Sequence, residues 1–156
     1  MNFETIYIDY WQKIFRLCMG FTNDAHAAQD LAQETFIIVW QQLSNFRNES
    51  SLGTWIYKIA TNNCLRQIEK EKRFPKAEMP IHLTEEVTSN QEPKIQLLYA
   101  FIAELPETDR IIISLELENI KQAEIAQIVG LSEANIRVKI HRIKEKLTKK
   151  FKEHGY

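Results

Sequence analysis

The chain has 156 residues, of which 44% are hydrophobic and 26% charged, so it suits one ordinary globular domain or two small ones. Four glycines and four prolines are too few to punctuate a multi-stranded sheet, and no apolar run approaches the ~20 residues needed to cross a bilayer. The net charge of −1 excludes a uniformly basic protein, but residues 133–156 carry eight bases against three acids, whereas 74–93 carry one base against four acids.

The opening Met1-Asn2-Phe3-Glu4 lacks the basic start and apolar block of a signal peptide. Cys18 and Cys64 are single, widely separated and without metal-type spacing, which argues against a zinc site or a disulfide framework. The expectation is a cytoplasmic chain with no cofactor and no metal, its thiols acting as small apolar side chains.

Residues 1–73 read as three or four helices. Asn23 and Asp24 offer an N-cap, after which Ala28, Leu31, Ala32, Thr35, Val39 and Leu43 recur at steps of three and four, as on an amphipathic helix. Asp30, Gln33 and Glu34 form a polar, acidic strip on that helix, which also carries Phe36 and Trp40. Such a strip suits a basic partner surface, and equally an ordinary solvated face. Ser44 to Ser51 is polar and reads as a loop. A further helix places Leu52, Trp55, Ile56, Ile59 and Ala60 inward and ends near Lys70–Arg73, where positive charge suits a helix C-terminus.

This loop and helix combine aromatics with polar and basic groups: Phe46, Arg47, Asn48, Ser51, Trp55, Tyr57, Lys58, Asn62 and Arg66. Lys58, Asn62 and Arg66 stand four apart and share one ridge. Unpaired nucleic acid needs basic groups along its phosphates, an aromatic to stack on, and a polar pocket for a base turned out of the duplex. On the residues alone the signal is weak, because Trp55 reads as core and Phe46 as a seal for the loop.

Three prolines, Pro75, Pro80 and Pro93, fall in 74–93, which reads as an extended acidic linker. Helical character then returns. Pro106 suits the start of a helix ending near Leu117, and Gly130 stops a helix carrying Ile125, Ala126, Ile128 and Val129. Gln122 to Val129, the turn Gly130-Leu131-Ser132, and a second helix capped by Ser132 make the helix-turn-helix plan. Ile136, Ile140, Ile143 and Leu147 step by four, three and four and face the core. Asn135, Lys139, Arg142 and Lys146 line one flank; Arg137, His141 and Lys144 line the other; Ala134 and Val138 lie opposite the core. A slim outer face between two basic shoulders fits a major groove. There Asn135 has the groups to pair an adenine, Arg137 or Arg142 a guanine, and Val138 to touch a thymine methyl. A solvated basic helix is the plainer alternative.

Two further readings stay open at this level. A stand-alone helix-turn-helix regulator with an N-terminal dimerisation domain explains 94–156 but leaves the N-terminal pattern unaccounted for. A metal-dependent helical enzyme would start from His26 and Asp30, one turn apart, but two ligands make a poor site.

The segments Asp30-Leu31-Ala32-Gln33-Glu34-Thr35-Phe36, Trp40, Phe46-Arg47, Thr54-Trp55-Ile56-Tyr57-Lys58-Ile59-Ala60 and Asn62 resemble region two of bacterial RNA polymerase sigma factors. Leu105-Pro106-Glu107-Thr108-Asp109-Arg110, Ala123-Glu124-Ile125-Ala126, Gly130-Leu131-Ser132 and Ile140-His141-Arg142 resemble region four. Both sets occur in order, and the missing middle region resembles the extracytoplasmic-function group.

The resemblance implies an all-α protein of two small domains, 1–73 and 94–156, joined by a flexible acidic linker at 74–93. It implies that Asp30, Gln33 and Glu34 bind the clamp helices of the polymerase β′ subunit. Phe46, Arg47, Asn48, Ser51, Lys58, Asn62 and Arg66 would melt the −10 element and capture a flipped base. Glu133, Ala134, Asn135, Arg137, Val138, Lys139, His141, Arg142 and Lys144 would read the −35 element, with the same domain on the β flap. The linker would thread towards the RNA exit path. An anti-sigma factor is the further partner implied, with the inner membrane face as the alternative place at which it would hold the chain; no catalytic residue and no small-molecule substrate are implied. The chain departs from many relatives at Gly53 and Thr61, where those are basic, and at Val138, where a small polar residue is common.

Overall fold

The computed structural model describes residues 2–73 and 92–156. They form α1 (Phe3–Thr22), α2 (Ala25–Gln42), a 3-10 turn (Leu43–Asn45), α3 (Leu52–Arg73), α4 (Pro93–Ala103), α5 (Glu107–Leu117), α6 (Gln122–Val129) and α7 (Glu133–Glu153), with no strand among the described residues. The chain is all-α. The linker expected at 74–93 falls, apart from Glu92 and Pro93, outside the described residues.

Local chemistry sets most helix ends. Asn23 closes α1 in the left-handed region at φ 49°, and Asp24 then opens α2, its Oδ1 accepting from the amides of His26 at 3.0 Å and Ala27 at 3.2 Å. Ser51 does the same for α3, its Oγ accepting from Thr54 N at 3.1 Å. The α2 face of Ala28, Leu31, Ala32, Thr35, Phe36 and Val39 is buried. Asn63 of α3 is buried against it and donates its side-chain amide to the Leu31 carbonyl at 3.2 Å, so this buried amide is satisfied. Cys18 and Cys64, far apart in sequence, meet in this core as a buried thiol pair. The hydrogen bond with Cys64, followed by burial, pushes the Cys18 thiol well above its ordinary range.

In the C-terminal half, Gly130 adopts φ 77°, a conformation that costs a side chain dearly, and its N–H reaches the Ala126 carbonyl at 2.9 Å. Ser132 caps α7 by accepting from Asn135 N at 3.1 Å. Ile136, Ile140, Ile143 and Leu147 are buried as one stripe. Each such side chain contributes about 1.5–3 kcal/mol by leaving water. The far end of α7 is tied to α4 by the edge-on contact of Phe151 with Phe101, centroids 5.0 Å apart.

Nothing in the periodicity placed the two halves relative to each other; the structure packs them together. In α1, Leu17 to Phe21 are buried without a break, and in α5 so are Ile111 to Leu115. Successive helical residues lie 100° apart, so five in a row cover the whole circumference, and these two stretches are enclosed on all sides. The reason is position: α1 packs on α2 and α3 of its own half and on α4 and α5 of the other, while α3 packs on α6.

The junction is specific. Gly20 lets α1 approach α5 so closely that an added Cβ would strike the Ser114 hydroxyl. Arg110 donates from Nη1 to the Phe21 carbonyl at 2.8 Å and stacks its guanidinium over the Phe21 ring at 4.9 Å. Arg16 grips both carboxylate oxygens of Glu118, Nε to Oε1 at 2.5 Å and Nη2 to Oε2 at 2.9 Å. Burial raises the pKa of the phenols of Tyr10, Tyr57 and Tyr99, with the charges of Glu118 and Arg16 acting further on the last two.

Candidate nucleic-acid interface

The helix-turn-helix presents its outer surface as the 3.6-residue period requires. Glu133, Ala134, Asn135, Arg137, His141, Arg142 and Lys144 are exposed, and Val138 is 47% exposed directly away from the isoleucine stripe. The small face therefore stands open between its shoulders. The shoulders differ in freedom. Lys139 lies 3.6 Å from Asp109, at the N-terminal turn of α5, and Lys144 donates to Glu116 at 3.2 Å. His141 faces Glu145 at 3.1 Å. Among the described residues no carboxylate pairs with Arg137 or Arg142. An open groove of about 430 Å³ beside this helix gathers Lys139, Arg142, Lys146 and Lys149 around Asp109 and Glu145. Sequence reasoning missed Asp109 and Glu116, because their pairing depends on how α5 crosses α7.

On the other half, Lys58, Asn62 and Arg66 are exposed along one ridge of α3. Phe46 packs its ring on Trp55 with centroids 4.9 Å apart, so both are half-buried and the loop is anchored at the base of the ridge. Arg47 and Asn48 project from that loop, Asn48 turning it with φ 58°. Ser51 is exposed, but its Oγ is engaged as the α3 cap and also donates to Thr54 Oγ1 at 2.9 Å. Arg66 lines a cleft shared with Glu34, Gln67 and Lys70, so the ridge runs into the acidic strip. Thr61 is buried and Gly53 sits against the Tyr10 hydroxyl, so neither lies on the exposed ridge of Lys58, Asn62 and Arg66.

Asp30, Gln33 and Glu34 are all exposed on α2. Asp30 and Glu34 open onto a cleft that reaches Lys70 and Glu71 of α3. On its other side Gln33 borders an apolar hollow formed with Phe3, Tyr7, Phe36, Ile37 and Trp40. Trp40 is 64% and Ile37 55% exposed, an apolar surface that the unbroken run from Phe36 to Trp40 did not reveal, since its period gives no face. Among the described residues no three His, Cys, Asp or Glu side chains converge as metal ligands, and no helix is long and apolar enough to cross a membrane.

Fold and surface define the class: an all-helical protein ending in a helix-turn-helix with a basic outer face. Two family models match the chain, sigma-70 region 2 over residues 6–74 and sigma-70 region 4 over residues 95–147. The RNA polymerase sigma-H factor of Pseudomonas aeruginosa is 28% identical over 94% of this chain and 84% of its own length. The ECF RNA polymerase sigma factor SigW of Bacillus subtilis is 27% identical over 92% of this chain and 86% of its own. Among solved structures, the sigma factor RpoE of Bartonella quintana, in complex with the anti-sigma factor NepR, superposes with a TM-score of 0.81 over 96% of each chain at 18% identity. CnrH, in complex with the cytosolic domain of CnrY, gives a TM-score of 0.69 over 97% of this chain and 88% of its own at 19% identity.

The chain belongs to the sigma-70 family, in its extracytoplasmic-function group. It acts with RNA polymerase in promoter-specific transcription initiation.

Proposed function

We propose that the two surfaces divide promoter recognition between them. Residues 94–156 form the unit that reads the −35 element: Ala134 and Val138 approach the base edges, Asn135, Arg137 and Arg142 supply donors, and Lys139, His141 and Lys144 meet phosphates beside them. Glu133 stands in the first turn and shapes the entry of the helix. Residues 1–73 form the unit that melts the −10 element. Phe46 and Trp55 anchor the loop, Arg47, Asn48 and Ser51 border it, and Lys58, Asn62 and Arg66 track the displaced strand. The observation that carries this reading is the open Ala134–Val138 face, set opposite a buried isoleucine stripe and flanked by Arg137 and Arg142, which no carboxylate among the described residues engages.

Asp30, Gln33 and Glu34 seat the first unit on the β′ clamp helices, the second rests on the β flap, and the acidic residues 74–93 connect them towards the RNA exit path. Unstacking a base step costs a few kcal/mol, which contacts at both elements and on the polymerase together offset. The chain supplies specificity and no catalytic group, works in the cytoplasm, and is restrained by an anti-sigma protein, as RpoE of Bartonella quintana is bound by its anti-sigma factor NepR.

Randomised promoter libraries transcribed with single variants test the residue assignments. Asn135→Ala or Arg137→Ala should relax preference at −35 positions alone, and Asn62→Ala at −10 positions alone. Variants of α7 that change only −10 preference would contradict the division.

A further inference from the structure

The recognition helix is longer than the stretch that marks its family. The region 4 match ends at residue 147, whereas α7 runs on to Glu153. The added turns are fixed in place. Phe151 continues the apolar stripe beyond Leu147 and meets Phe101 edge-on at 5.0 Å, and His154 packs on the same ring at 5.0 Å. Lys150 pairs with Glu104, just past α4. A helix end held this way does not fray, so its outer side keeps a set distance and angle from the base-reading turns.

That outer side is basic. Lys149 follows Val138 by about three turns and Lys152 follows Ala134 by about five, so both extend the strip that the open face begins. Both are exposed. One shallow groove passes Lys139, Arg142 and Lys146, another passes His141, Lys144 and Lys152, and Lys149 borders the two. Glu145 lies on the same strip, but His141 faces it at 3.1 Å. Among the described residues no carboxylate pairs with Lys149 or Lys152, whereas Lys139, Lys144 and Lys150 are all engaged.

Dimensions decide what such a strip meets. At 1.5 Å per residue α7 is roughly 30 Å long, while a major groove is about 12 Å wide and 8.5 Å deep. With Ala134 and Val138 among the bases, the helix leaves the groove before its end and crosses the sugar–phosphate wall. Bases are out of reach there; phosphates are not. We propose that Lys149 and Lys152 form a phosphate clamp at the distal end of the recognition helix, holding the duplex beside the −35 element without reading its sequence. Lysine, a compact charge on a flexible stem, suits a partner that is the same at every step of the duplex. The clamp rests on the promoter assignment above and deepens it: the first turns of α7 choose the sequence, and the last turns set the angle at which the domain grips it. The strip continues the DNA face without a break, which favours duplex over an acidic protein surface as its partner.

Promoter binding by core polymerase carrying the full-length chain tests the clamp. Affinity is measured across a salt series on fragments with an intact or a scrambled −35 element, and ethylation of single phosphates maps the backbone contacts. K149A/K152A should lower the slope of log affinity against log salt by about 1.8, since each phosphate contact contributes about 0.9. It should lose ethylation interference at phosphates outside the −35 base positions and keep the wild-type preference for the intact element. K149R/K152R, which keeps both charges, should retain slope and interference. Both side chains are exposed, so neither variant disturbs the core. A wild-type slope in K149A/K152A overturns the clamp. So does a loss confined to assembly with core polymerase, which would give the two lysines to an acidic protein surface instead. Wild-type polymerase that ignores scrambling of the −35 element contradicts the promoter assignment itself, a failure distinct from an unchanged slope with preference intact.

Discussion

Lys139 of the recognition helix lies 3.6 Å from Asp109 of α5, so one basic shoulder is already engaged by a carboxylate of its own domain. A phosphate must compete with Asp109 for that ammonium. Asp109→Asn should therefore tighten binding of duplex DNA by the full chain. Partly exposed pairs are worth ~0.2–1 kcal/mol, so the gain should reach at most about fivefold. Fluorescence anisotropy with a promoter fragment checks it; unchanged or weaker binding would show that Lys139 takes no part in DNA contact.

Among the described residues Arg142 and Arg137 have no such partner, and they should behave differently. Each contact to a phosphate contributes about 0.9 to the slope of log affinity against log salt, and a bidentate base contact about 1–3 kcal/mol of discrimination. Arg142→Ala should lower the salt slope by about one, or relax one promoter position, depending on which group it meets. Binding measured from 50 to 300 mM salt on matched and mismatched fragments separates the two. An effect on neither would remove Arg142 from the interface.

Ser132 accepts the Asn135 amide at 3.1 Å, and Asn135 is itself assigned to base contact. Ser132→Ala should cost about 1 kcal/mol in denaturant unfolding through loss of the cap. It should also weaken −35 binding, because the first turn of α7 then frays where it meets the bases. Ser132→Asp should restore stability but not DNA affinity, since the added charge faces phosphate. Equal recovery of both would contradict the placement of that turn in the groove.

Alkaline pH should unfold the chain early. The folded state holds the Cys18 thiol well above its ordinary range, and burial holds Tyr10, Tyr57 and Tyr99 high as well. Above pH ~8.5 for the thiol and ~10 for the phenols, the unfolded chain gives up protons that the folded chain keeps. Stability is thus complete at lower pH and is lost as pH rises past those values. Urea unfolding from pH 7 to 10.5 should show this decline, and Cys18→Ala should remove the part that begins near 8.5. A flat profile in the wild-type chain would refute it.

What was legible in the sequence was local. Asp24, Ser132 and Gly130 announce helix ends because a cap needs only its own backbone and two or three residues beyond it. The stripe Ile136–Leu147 declares its inner face by spacing alone, and from it the outer face of Ala134 and Val138 follows. What stayed hidden depends on two elements meeting. The burial of Thr61 depends on which face of α3 meets the core, and the Leu17–Phe21 run gives no face because that stretch of α1 is enclosed on every side. Cys18 with Cys64, Asn63 with Leu31 and Asp109 with Lys139 are pairs that only the packing creates. Ser51 illustrates both limits: its residue type suits a polar loop site, yet the structure uses it to start α3.

On the proposed division of promoter recognition, this chain by itself confers promoter choice on the polymerase. Core enzyme purified free of every sigma factor, mixed with this protein and genomic DNA, should yield transcripts whose sequenced 5′ ends cluster downstream of one recurring pair of elements near −35 and −10. Random starts, or starts that require another sigma factor in the mixture, would contradict it.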